Sequence, residues 1–170
     1  MSISADEREA MFWEREGDAV RCRLCPHNCL IKEGRSGTCR VRKNVEGVLR
    51  PMSYGAVSSV HVDPMEKKPL FHFHPGEPVL SLGGVSCNLR CQHCQNFTIA
   101  QVGLGDYEMQ RVPPEDVPEM CLRSASPGVA WTYNEPTIWY EYMLDASLLC
   151  KERGLFTVSV TNGFIQEEPL

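Results

Sequence analysis

Three cysteines, Cys87, Cys91 and Cys94, stand in a C-x3-C-x2-C spacing. Iron–sulfur cubes usually take four thiolates. Three close thiolates bind three irons and leave the fourth iron open. An open position accepts a substrate, as the open position of a catalytic zinc does. Two other readings of the same residues stay open. Completed by the adjacent His93, the set would be a zinc site. Completed by a distant ligand, it would be an electron-transfer cluster.

A second set, Cys22-x2-Cys25-x3-Cys29-x9-Cys39, offers four thiolates in a short stretch that also holds Gly34 and Gly37. So few large apolar residues cannot build a core, and small units without one need a staple. Four thiolates form the closed structural site that zinc prefers, and a second iron–sulfur cluster fits the same donors. Four unliganded thiols are the bland alternative. Four cysteines satisfy a metal without His27, which reads as a loop residue. This set takes its ligands locally and is expected to act independently of Cys87, Cys91 and Cys94. The remaining two of the nine cysteines, Cys121 and Cys150, read as small buried hydrophobes on helices.

The positioning elements follow from pattern. Ser4 to Glu7 forms a capping box that predicts a helix to about Gly17. Arg40–Asn44 and Val48–Ser53 predict a hairpin around Val45-Glu46-Gly47, and Ala56–Val62 another strand. The proline-rich stretch from Asp63 sets a boundary: residues 1–62 as a Cys-rich, metal-stapled domain, 63–77 as a connector, 78–170 as the core. Lys67 and Lys68 in the connector read as a solvated loop face.

From Pro78 a strand leads into the first cysteine loop. A helix over Pro113–Ser124, a strand from Gly128, a helix over Pro136–Arg153 and a strand over Phe156–Val160 follow. Ile138, Tyr142, Leu144, Leu148 and Leu149 form the expected buried face of the second helix, and Trp131, Trp139 and Tyr140 read as packing residues. Strands alternating with helices predict an α/β fold with parallel strands and right-handed crossovers. Three such strands make an incomplete sheet, so the sequence is expected to hold the first part of a longer barrel.

The 170 residues are 42% apolar and 23% charged, an ordinary soluble balance with enough apolar surface for a core. A net charge of −5 argues against a nucleic-acid partner. No run approaches the roughly 18 apolar residues of a membrane helix, so no membrane partner is expected. The acidic N-terminus lacks the basic and apolar regions of a signal peptide. A reducing compartment disfavours disulfides, and the expected location is the cytoplasm.

Four longer words narrow the reading: DPMEKKPLFHFHPG, SLGGVSCNLRCQHCQN, WTYNEPTIWYEY and SVTNGF. They resemble the AmmeMemoRadiSam-system radical S-adenosylmethionine (SAM) enzymes, a group similar to the pyruvate formate-lyase activating enzymes. The resemblance runs from about Cys22 to Leu170. It implies a partial (β/α)6 barrel with a [4Fe-4S] cluster on Cys87, Cys91 and Cys94 at its C-terminal mouth. Parallel barrels carry their sites at that face.

The resemblance also implies SAM-binding residues. Glu135-Pro136 matches the last two residues of the superfamily's Gly-Gly-Glu-Pro word, which binds the SAM amino group, and Tyr133-Asn134 replaces the glycines. Thr161-Asn162-Gly163 is similar to a loop near SAM after the third strand. His93 holds the position of an aromatic residue that covers adenine. The bland reading of Glu135, Thr161 and Asn162 is strand-end capping. The implied activity is reductive cleavage of SAM to a 5′-deoxyadenosyl radical that abstracts a hydrogen atom. Its implied partners are an electron donor and, for an activating enzyme, a protein substrate with a reactive glycine. A reading of a different class is a metal-binding interaction module without catalysis.

Overall fold

The computed structural model describes residues 8–170, so the capping box at Ser4 to Glu7 lies outside the described residues. The helix expected to run to Gly17 is absent over residues 8–17. There β1 (Trp13–Glu16) pairs antiparallel with β2 (Ala19–Cys22). Gly17, at φ +62, makes the tight turn between them. β3 (Leu30–Lys32) joins β2 on its other side.

β4 (Arg42–Val45) and β5 (Val48–Pro51) form the expected hairpin. Its two-residue turn, Glu46-Gly47, has positive φ at both positions, as a type I′ turn requires. The Glu33 carboxylate accepts both turn N–H groups, each at 2.9 Å.

β6 (Ala56–Val57) and β7 (Ser59–Pro64) divide the strand expected over Ala56–Val62. β7 runs across the expected boundary at residue 63 and pairs along its whole length with β8 (Pro78–Gly83). β8 leads through the cysteine loop to α1 (Phe97–Ala100) and then β9 (Gln110–Arg111), which returns to pair with β6.

α2 (Asp116–Arg123) follows, then β10 (Gly128–Trp131). A 3-10 turn (Pro136–Trp139) leads into α3 (Tyr140–Glu152) and β11 (Phe156–Ser159). The main sheet has the order β11-β10-β8-β7, with β8, β10 and β11 parallel and β7 antiparallel. It is an open mixed α/β sheet, and no barrel closes among the described residues.

Period-2 alternation divides the sheet. Leu80, Leu82, Val129 and Trp131 pack against Val117 and Cys121 of α2 and Tyr142, Ala146 and Cys150 of α3. The other face, with Val79 and Ala130, is covered by Met65 and Leu70 of the 63–77 segment. The expected face of α3 is corrected. The i, i+4 stripe is Tyr142, Ala146 and Cys150, while Leu148 is 52% exposed. The 3-10 turn before Tyr140 shifts the helical phase from the one assumed from Pro136.

Lys68 is also corrected. It is buried, with Nζ 2.6 Å from Asp63 Oδ2, and Lys67 Nζ reaches Asp63 Oδ1 at 2.7 Å. Tyr133 donates its hydroxyl to the same carboxylate at 2.7 Å. Burial alone would raise the Asp63 carboxyl, but these donors outweigh it and hold it well below the carboxylate range.

The N-terminal region shares its packing with the sheet region. Cys39 and Val41 pack with Val85 and Ile138. Arg42 Nη1 meets both Glu141 oxygens, at 2.9 and 3.0 Å, with both side chains almost fully buried. The Met11 N–H donates to Glu141 Oε1 at 2.7 Å, and Arg42 Nη2 donates to the Met11 carbonyl at 2.6 Å.

Candidate functional site

Because β8, β10 and β11 run parallel, the loops after them emerge on one rim. The loop after β8 carries Cys87, Cys91 and Cys94. The loop after β10 carries Asn134 and Glu135, and the one after β11 carries Thr161 and Asn162.

The β8 loop leaves the sheet through Gly83 and Gly84. A Cβ on Gly83 would stand 2.9 Å from the Tyr133 ring and 3.0 Å from the Thr132 carbonyl, so only glycine lets the first two loops approach this closely. Asn134 then staples them: Gly84 N–H donates to its Oδ1 at 3.1 Å, and its Nδ2 donates to the Ser86 carbonyl at 2.9 Å. Asn96 adds a bond to the Tyr133 carbonyl at 2.6 Å.

Glu135 is 2% exposed and joins the second and third loops. It accepts from Thr137 N at 2.9 Å, Thr161 Oγ1 at 2.6 Å and Asn162 N at 2.8 Å. The first bond caps the 3-10 turn, so capping accounts for part of its role. A carboxylate has about four acceptor sites, and one stays free beyond these three.

Asn162 extends to the cysteines. Its Nδ2 donates to Asn88 Oδ1 at 2.9 Å and approaches Cys87 Sγ at 3.9 Å. The Leu89 N–H points at Cys87 Sγ at 3.4 Å. N–H groups aimed at sulfur favour the thiolate, the form that binds metal. Burial pushes the Cys87 thiol up, the Leu89 N–H draws it back, and Glu135, Cys91 and Cys94 push it up further. Among the described residues no three His, Cys, Asp or Glu side chains gather around a single-ion position. A four-iron cube takes one thiolate per iron, so its ligands do not converge on one point. The three-thiolate set, half-open to solvent, has the donor chemistry for such a cluster. His93 is exposed beside Cys94.

The four N-terminal cysteines line one small cavity together with Arg42 and Ile138. Burial pushes the Cys39 thiol up to about 11 and raises Cys25 as well. This region is not separate from the cysteine loop. His27 Nε2 is 2.7 Å from the Asn88 carbonyl, and its ring meets Phe164 edge-on at 5.0 Å. Asn88 also donates to the Phe164 carbonyl at 3.0 Å. The two cysteine sets are thus in contact through their loops: His27, between Cys25 and Cys29, reaches Asn88, next to Cys87. The sequence reading missed Asn88, and its only signal was a buried-type amide beside Cys87 inside the loop.

The radical SAM superfamily model matches residues 82–170, more than half of the chain and all three rim loops. The chain belongs to the radical SAM superfamily. Enzymes of this superfamily use a [4Fe-4S] cluster and SAM for radical chemistry. The chain is also 49% identical over 164 residues to the uncharacterized protein MJ0808 of Methanocaldococcus jannaschii. That match covers 96% of this chain and 49% of the relative, so the chain spans about half the length of the curated relative it matches. No solved structure matches. No described helix is long and apolar enough to cross a membrane.

Proposed function

We propose that this radical SAM chain binds a [4Fe-4S] cluster through Cys87, Cys91 and Cys94 and cleaves SAM reductively for hydrogen abstraction. When bound, the cluster supplies the electron that splits SAM into methionine and a 5′-deoxyadenosyl radical. The observation carrying this reading is the convergence of the cysteine loop, Glu135 and Asn162 on one rim through direct hydrogen bonds.

Each rim residue then has a task. Glu135, held by Thr161 and Asn162, offers its remaining acceptor site to the SAM amino group. Asn134 fixes the spacing between the first two loops. Asn88 and Asn162 orient Cys87. His93, at the solvent side of the loop, is the candidate cover for adenine. An external electron donor reduces the cluster.

The finer reading is an AmmeMemoRadiSam-system enzyme, similar to the pyruvate formate-lyase activating enzymes and acting on a protein substrate. Its support is the set of sequence words around the three loops. In the larger architecture, a partial (β/α)6 barrel, the open sheet is the first part. The test is anaerobic reconstitution with iron and sulfide, reduction, and assay for 5′-deoxyadenosine. Product formation supports the reading. A reconstituted, reduced protein that binds SAM and forms no 5′-deoxyadenosine overturns the cleavage.

A further inference from the structure

The cavity under β4 has no part in SAM chemistry, yet its lining is chemically unusual. Four thiols share it with a buried guanidinium. Arg42 is 1% exposed. Its Nη1 is engaged by Glu141 and its Nη2 by Met11, but its Nε–H has no hydrogen-bond partner. Buried N–H groups without partners are rare, and each asks for an explanation. The room inside is about 10 Å³, space for one water at most. Besides Glu141, the groups acting on this guanidinium are Cys22 and Cys39.

The sulfurs are themselves set up as acceptors. The His27 N–H lies toward Cys25 and the Val41 N–H toward Cys39, each favouring the thiolate. Cys29 accepts from the Thr38 N–H at 3.5 Å and lies 3.4 Å from the Thr38 hydroxyl. A neutral thiol is a weak acceptor, whereas a metal-bound thiolate is a strong one. Gly37 permits the close pass of the chain: a Cβ there would stand 3.2 Å from Ile31 Cδ1 and 3.4 Å from Cys29 Sγ. The Cys87 loop shows the same feature, with the Leu89 N–H on Cys87 Sγ.

We propose that Cys22, Cys25, Cys29 and Cys39 hold a second, thiolate-ligated metal centre, with the Arg42 Nε–H as a buried donor to its sulfurs. Four thiolates carry more negative charge than one divalent ion removes, and Arg42 offsets part of the excess. The thiols line one cavity without converging on one ion position. Zinc and an iron–sulfur cube share the same donor chemistry, and the experiment separates them.

The test uses the full chain with Cys87→Ala, Cys91→Ala and Cys94→Ala, which removes the SAM-cluster ligands and leaves only the N-terminal set. Metal and sulfide are measured per chain as purified and after anaerobic reconstitution. The expected result is about one zinc per chain, or about four irons with equal sulfide. Adding Cys25→Ala and Cys39→Ala should remove that metal. Absence of metal under both conditions overturns the proposal, and so does metal retained after the two further substitutions. Far-UV circular dichroism checks that the variants fold. If the triple-alanine chain does not fold, the native chain is compared with Cys25→Ala Cys39→Ala, and equal metal content overturns the proposal.

Discussion

The two cysteine sets are built in opposite ways. Cys87, Cys91 and Cys94 sit on one loop at the end of a parallel strand, with Cys91 exposed. Cys22 and Cys39 are buried, and their set is spread over antiparallel strands and turns. A set open to solvent with three donors leaves room for a reacting molecule. A set of four, two of them buried and two half-buried, leaves less room, as a structural centre does. Under the two proposals above, thiols would serve reaction in the open set and architecture in the more covered one.

The largest effect should come from the open set. Cys91→Ala should abolish both the brown chromophore of the reconstituted SAM cluster and 5′-deoxyadenosine formation. An unchanged chromophore would break the contrast, since the open loop would then hold no cluster.

The join between the regions comes next. Glu141→Gln leaves Arg42 buried without its carboxylate, and breaking a buried pair costs roughly 3–5 kcal/mol. Urea unfolding followed by fluorescence should show one transition at a lower midpoint. Two resolved transitions would mean that the enclosed region folds on its own and that the shared packing is incidental.

Asp63→Asn removes a charge that faces Lys68 across a buried contact, and should cost roughly 3 kcal/mol at neutral pH. The Asp63 carboxyl is held below its ordinary range in the folded state. Its contribution is therefore complete above the unfolded carboxylate value near ~4 and is lost as pH falls from there toward the folded value. The native protein should lose stability through this acid window, and Asp63→Asn should lose less. Parallel acid titrations of the two would sink the assignment.

Glu135→Gln should weaken SAM binding about ten-fold or more, since a hydrogen bond to a charged group is worth roughly 1.5–3 kcal/mol. Iron content should not change. Equal SAM affinity by equilibrium dialysis would leave Glu135 as the cap of the 3-10 turn alone. The smallest effect belongs to Cys121→Ala, deep in the helix-facing core. It should cost about 1 kcal/mol and leave all metal in place. A loss of iron in this variant would tie a core thiol to a metal site.

Much of the sheet was legible because strands and helices announce themselves by period. The run before Cys87, the β-branched stretch after Phe156 and the hairpin turn Glu46-Gly47 all carry local signals. The rim residues were legible as words, since Glu135 and Thr161-Asn162 each follow a strand. What stayed hidden depends on distant partners. Trp13–Glu16 falls within the helix that the Ser4–Glu7 capping box predicts, and only pairing with Ala19–Cys22 makes it a strand. Lys68 reads as solvated until Asp63 and Tyr133 fold over it. Arg42 and Glu141 are 99 residues apart, and no local pattern couples them.

Asn88 bears on the order of folding. Its contacts with His27, Asn162 and Phe164 span 61, 74 and 76 residues of chain. Contacts of such separation form late, because long loops must close before they contribute. The Cys87 loop is therefore expected to reach its native shape after the first hairpins and the strand Phe156–Ser159 have docked. Iron insertion meets a nearly finished fold. A weakened variant should reveal itself first as a chain short of iron, while its secondary structure still looks normal.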